Sequence, residues 1–204
     1  LEDSTGTLWV GTLGNGLNRF DAKTGRFTHF NHSRSDDASL AHDKVWDIFE
    51  DSQGTLWVGT EAGGINKLDT QRLRFGHIKR QASNPRSLSQ NVVMAIYKDT
   101  SGMLWIGTEN GLNRYHQQNQ NFTHFKHINE NLNSLSDNRI YTINEDNQGR
   151  LWFGTLNGLN RYDAQSQKFI RYQYDASDPG SLSSDLIYTI YQDKEGVLWV
   201  GTGG

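Results

Sequence analysis

The chain has 204 residues, a net charge of −3, 20 lysines and arginines against 23 aspartates and glutamates, and no cysteine. That balance leaves no basic footprint for nucleic acid, and the lysines and arginines recur at corresponding places along the chain instead of forming one stripe. Without cysteine there are no disulfides or thiolate metal sites, and no run of 18 apolar residues exists that would span a membrane, so no membrane contact is expected within this segment.

From the N-terminus, a five-residue phrase appears at Leu8–Thr12 and returns at Leu56–Thr60, Leu104–Thr108, Leu151–Thr155 and Leu198–Thr202, in steps of 48, 48, 47 and 47 residues. A period of this length marks one supersecondary unit copied and stacked, each copy burying its neighbour's face. The copies divide as 1–44 (incomplete), 45–92, 93–139, 140–186 and 187–204 (incomplete), together one β-propeller segment over 1–204.

The second copy shows the unit in full. Four short runs rich in aromatic and β-branched residues, Val45–Glu50, Thr55–Thr60, Ile65–Asp69 and Phe75–Ile78, are separated by Gly-, Asp- and Asn-bearing turns, as in an antiparallel meander of strands A to D. The A–B turn keeps Asp first and Gly fourth in every copy (Asp3/Gly6, Asp51/Gly54, Asp99/Gly102, Asp146/Gly149, Asp193/Gly196), which is hairpin chemistry. A calcium loop would need several oxygen ligands, and no metal or cofactor is expected. The B–C loop loses one residue between copies two and three (Glu61–Gly64 against Glu109–Gly111), which explains the change of step and places that loop at an exposed end.

On strand A, strict alternation puts Trp46, Met94, Tyr141 and Tyr188 on one face with Ile48, Ile96, Ile143 and Ile190, and puts Val45, Val93, Ile140 and Ile187 on the other. Two apolar faces mean a sandwiched sheet. The fold class is therefore an all-β propeller of four-stranded antiparallel blades, about four being present, with the tryptophans wedged between blades. The first copy lacks strand A and the last stops after strand B, so the chain reads as an excerpt: an arc of a larger propeller, or one completed by self-association. Its two end faces would seek cover from further blades of the parent protein or from a second copy.

The order Gly11-x-x-Gly14-x-Gly16 precedes a strand, not the helix that a phosphate cradle needs. His29, His77 and His124 share one strand D position, with Arg171 in the fourth copy, and are expected to be solvated. The Asn-Arg pairs of strand C (Asn18-Arg19, Asn66-Lys67, Asn113-Arg114, Asn160-Arg161) read as a blade-to-blade hydrogen-bonding device, and the Ser-Leu steps (Ser39-Leu40, Ser87-Leu88, Ser134-Leu135, Ser181-Leu182) as anchors of the D–A crossings. Copies diverge at the D–A and B–C loops. The candidate ligand surface there comprises Lys44, Trp46, Glu61, Glu109, Asn110, Arg139, Tyr141, Asn157 and Tyr188. No carboxylate pair or His-carboxylate set stands out, so no catalytic residue is assigned.

The unit Glu145–Asp163 (E-D-x-x-G-x-L-W-F-G-T-x-x-G-L-N-R-Y-D) resembles the two-component regulator propeller repeat, and the resemblance runs through the whole chain. It implies a periplasmic, non-catalytic sensor propeller of a bacterial membrane receptor that binds a small molecule or glycan and drives a histidine kinase or diguanylate cyclase. A protein-interaction scaffold and a propeller hydrolase or lyase are the alternatives. The family motif marks blade structure and carries over no functional residue.

Overall fold

The computed structural model describes residues 1–204 and is all-β, with five antiparallel sheets. The first sheet holds β1 (Leu8–Gly11), β2 (Leu17–Asp21) and β3 (Arg26–Phe30), and the second β4 (Val45–Glu50), β5 (Leu56–Thr60), β6 (Ile65–Asp69) and β7 (Arg74–Ile78), each ordered as in sequence. β8 (Val93–Lys98), β9 (Leu104–Thr108), β10 (Gly111–His116) and β11 (Asn121–Phe125) form the third. The fourth consists of β12 (Ile140–Glu145), β13 (Leu151–Thr155), β14 (Gly158–Asp163) and β15 (Lys168–Tyr172), and β16 (Ile187–Gln192) and β17 (Leu198–Thr202) make a two-stranded fifth. These are propeller blades, three of them complete. By compactness the chain divides into two units, Leu1–Ile96 and Tyr97–Gly204.

Each A–B turn is built round its aspartate. Asp51 Oδ1 accepts the backbone N–H groups of Gln53 and Thr55, both at 3.0 Å, while Oδ2 accepts Trp57 Nε1 at 2.8 Å. The same indole bond occurs at Asp3–Trp9, Asp99–Trp105, Asp146–Trp152 and Asp193–Trp199, between 2.6 and 2.8 Å. Gly54 closes the turn at φ 78°, a left-handed conformation that a side chain resists. One carboxylate therefore satisfies the turn and orients the indole that enters the core. The six-residue spacing from Asp to Trp was visible in every copy, yet its meaning was not, because a turn residue and a core residue have no reason to meet until the hairpin folds.

Trp9, Trp57, Trp105 and Trp152 are buried, as the wedge expectation requires, whereas Trp199 on the last sheet is 61% exposed. In the first unit Trp9 and Leu17 share a core cluster with Leu56, Val58, Leu68 and Phe75 of the next sheet. In the second, Trp152 and Leu159 pack with Ile187 and Ile190. The glycine of the pentamer allows this approach: a Cβ on Gly11 would lie 2.5 Å from Val45, and one on Gly154 2.6 Å from Ile187.

Strand A departs from strict alternation. Its pairing with strand B shifts register between Val45 and Asp47, between Ile140 and Thr142, and between Ile187 and Thr189. A β-bulge puts the residue it encloses out of phase. Val45 and Ile48 consequently pack in one cluster, as do Ile187 and Ile190, and the enclosed Trp46 and Tyr188 turn outward, 42% and 56% exposed. The expected grouping of Trp46 and Tyr188 with the inward isoleucines is corrected by these bulges.

The strand D position is corrected at His77 and Arg171, while His29 is exposed as expected. His77 Nε2 donates to Ser39 O at 2.9 Å, and Arg171 donates to the carbonyls of Asn131, Ser134 and Leu135 within 2.9 Å, so these side chains clamp crossing segments instead of standing in solvent. The strand C asparagines act on the same segments. Asn66 Oδ1 accepts from Ala41 N at 2.8 Å and Asn160 Oδ1 from Ser136 N at 2.9 Å, and both asparagines are fully buried. Their cationic neighbours lie over the indoles, Lys67 at 4.5 Å from Trp57 and Arg161 at 5.9 Å from Trp152.

Candidate functional site

The B–C loops and the last residues of the crossing segments are tied together, which fixes a rim at one end of each sheet. Gly16 N–H donates to Asp43 O at 2.8 Å and Gly64 N–H to Asn91 O at 2.9 Å in the first unit. In the second, Gly111 N–H donates to Asn138 O at 2.7 Å and Gly158 N–H to Asp185 O at 2.6 Å. Within each loop a strand B threonine accepts a loop N–H, as Thr60 Oγ1 does from Gly63 at 3.1 Å, so the loops are braced.

On this rim the first unit brings together three predicted residues. Glu61 Oε1 accepts Lys44 Nζ at 3.1 Å, and Oε2 accepts Trp46 Nε1 at 2.8 Å. Hydrogen bonds from Lys44 and Trp46 outweigh partial burial and hold the Glu61 carboxyl below its ordinary range. An exposed ion pair contributes little stability, so the consequence is orientation. The indole plane is locked with nearly half its surface open, beside an ammonium with spare donors and a carboxylate with spare lone pairs. Such a plate with hydrogen-bonding groups at its edge suits a flat ligand with polar substituents.

In the second unit, Tyr141 and Tyr188 meet edge to face, with ring centroids 5.7 Å apart. Asn110 Oδ1 accepts Lys126 Nζ at 3.2 Å, and Asn157 receives Gln173 Nε2 on its carbonyl at 3.1 Å. Arg139 and Glu109 are exposed, Arg139 with its backbone N–H on Asp137. The nine predicted residues thus form one charged-aromatic cluster and one tyrosine pair, with the remaining four placed singly. No group of three His, Asp or Glu side chains is positioned to hold a metal ion.

Asp47 is a residue the sequence reading passed over. Within the Trp46 bulge its carboxylate accepts Ile48 N–H at 2.8 Å and Ile96 N–H at 2.7 Å, joining strand A of one sheet to strand A of the next. Ala95, Thr142 and Thr189 occupy its position in the other copies. Desolvation pushes its pKa up to about 6, against the lowering effect of the two amide bonds. The signal available beforehand was a lone acid at a place where the repeat otherwise carries Ala or Thr.

The two-component regulator propeller model matches residues 39–62, 87–110, 134–157 and 181–204, each match running from a Ser-Leu step through strands A and B into the B–C loop. Four two-component regulator propeller repeats are thus present between residues 39 and 204. Two solved structures of the extracellular domain of BT4673 from B. thetaiotaomicron, described once as a one-component and once as a hybrid two-component system, align over 96% of the chain at 25% identity, with TM-scores of 0.79 and 0.78. The extracellular domain of the hybrid two-component system BT3049 from the same organism aligns over 96% at 27% identity with a TM-score of 0.57. Virginiamycin B lyase from Staphylococcus aureus shares the fold at 17% identity and a TM-score of 0.68. The chain spans about a quarter of the BT4673 domain and 30% of the BT3049 domain. No curated protein matches the sequence.

Proposed function

We propose that these repeats form a non-catalytic, ligand-binding segment of an extracytoplasmic sensor propeller, part of a bacterial membrane receptor with a kinase or cyclase output. The observation that carries the reading is the Lys44–Glu61–Trp46 cluster, a deviation from the repeat at a braced rim. Rigid repeats supply the frame, and the unlike side chains on it supply recognition. Two-component repeats and the likeness to extracellular sensor domains support the location and the sensory role. The plate fits a small polar ligand or the ring of a glycan, whose C–H face stacks on the indole while hydroxyls meet Glu61 and Lys44. Signalling follows only if the ligand binds one arrangement of the receptor better than another.

Thermal unfolding with a panel of mono- and oligosaccharides tests this. A ligand at about 100 times its Kd stabilises by about 2.7 kcal/mol, a shift of several degrees. The shift is expected without turnover, and Trp46→Ala or Glu61→Gln should abolish it while leaving the unliganded midpoint nearly unchanged. Product formation would favour a hydrolase or lyase. A shift that survives both substitutions would remove the cluster from the site.

A further inference from the structure

The A–B and C–D turns of the second sheet lie at the end opposite the B–C rim, and a cavity of about 290 Å³ opens between them. Its polar lining comes from Gln53 and Thr55 on the first turn, Lys67 and Asp69 at the end of β6, and Thr70 and Gln71 on the second turn. Lys67 stands opposite Trp57 in the β5–β6 ladder, with Nζ 4.5 Å from the indole centroid, and makes no ion pair. Asp69 is already engaged. Its Oδ1 accepts the backbone N–H groups of Gln71 and Arg72, both at 3.0 Å, and its Oδ2 faces the Arg72 guanidinium at 3.8 Å.

Two positions that shape this cavity vary between copies. Thr55 aligns with Thr7, Met103, Arg150 and Val197, and Lys67 with Arg19, Arg114 and Arg161, so the second copy alone joins threonine to lysine. In the fourth sheet Arg150 Nε donates to Asp146 Oδ2 at 2.6 Å, and its guanidinium lies 5.7 Å from the Trp152 ring, with that of Arg161 at 5.9 Å. Two long side chains thus lie against that indole, where the second sheet has the shorter Thr55 and Lys67. The opening is a deviation from the repeat, and it leaves one ammonium without a counter-charge.

We infer that this cavity is a second binding site, separate from the rim, for a small hydroxylated carboxylate such as a sugar acid. The carboxylate pairs with the Lys67 ammonium, which has donors to spare, and the hydroxyls reach Thr55, Thr70 and the side-chain amides of Gln53 and Gln71. A single point charge beside an aspartate favours one negative charge over the two of a phosphate, which would call for a guanidinium or a second cation. A neutral sugar would leave Lys67 unmatched.

The test is titration of the 204-residue chain with sodium glucuronate, read by backbone and side-chain NMR shifts. Saturable shifts are expected at Thr55, Lys67 and Thr70, with glucose binding about tenfold more weakly or worse. Lys67→Met should weaken glucuronate binding about tenfold. Thr55→Arg installs the residue that the fourth copy carries at this place, so the fold tolerates it, and it should block the cavity although it adds positive charge. Trp46→Ala, at the rim, should leave the titration unchanged, which separates this site from the rim reading. No saturation by about 50 mM, equal affinity for glucose, or undiminished binding by Thr55→Arg overturns the proposal. Loss of binding in Trp46→Ala assigns the sugar acid to the rim and equally overturns it.

Discussion

The indole of each pentamer is held by one aspartate, and the first four are also buried, so removing one of those should leave a cavity and an unpaired carboxylate oxygen. Trp57→Ala or Trp105→Ala is expected to cost about 3–5 kcal/mol in urea unfolding. Trp199→Ala, at an open face, should cost less than about 1 kcal/mol. Asp47 gives a pH signature of opposite sign to a salt-bridged acid. Its folded pKa of about 6 lies above the unfolded value of 3.8, so between those pH values the folded state holds a proton that the unfolded state has released. Its stability contribution is fully present below pH 3.8 and is lost as pH rises through about 6. Asp47→Asn should flatten stability across that window and raise it by about 1–2 kcal/mol above it, seen by chemical denaturation at a series of pH values. A slope unchanged by the substitution would assign it to another group.

At the scale of elements, the crossing segments depend on side chains contributed by the sheet they enter. Asn66 and Asn160 satisfy a segment N–H and neighbouring strand carbonyls at once, so Asn66→Ala or Asn160→Ala leaves several buried groups unpaired. A loss of about 2–3 kcal/mol is expected. Hydrogen exchange should rise at Ala41 or Ser136 while the strand B amides stay protected. Strands, turns and the anchoring Ser-Leu steps were all legible in the sequence, because each copy repeats the same local chemistry. The bulge at Trp46, Tyr141 and Tyr188 was not, since an extra residue in one strand shows only when its partner strand sets the register. For the same reason His77 and Arg171 read as surface residues: their acceptors lie 38 and 37 positions away.

For the molecule as a whole, two sheet faces remain uncovered. Leu8, Val10 and Phe27 are exposed on the first sheet, and Tyr191, Val197 and Trp199 on the last. Their counterparts in the inner copies, Leu56, Val58 and Phe75 on one side and Trp152 on the other, are buried by an adjoining blade. Apolar area of this kind drives association. The chain is expected to self-associate with rising concentration, and the double variant Phe27→Asp/Trp199→Glu to be monomeric by light scattering with unchanged circular dichroism. A wild-type chain that stays monomeric at high concentration would show that these faces tolerate water.

Periodicity alone established blades, strand number and turn chemistry, because a motif copied five times can be read as an average in which local accidents cancel. The same averaging hid what is particular. That Trp46 faces outward, that Glu61 locks it beside Lys44, and that Asp47 bridges two strands are all matters of register and of contact between distant residues. Hydrogen bonds across strands and burial by the next sheet exist only once the chain has folded, so only the folded chain could decide them.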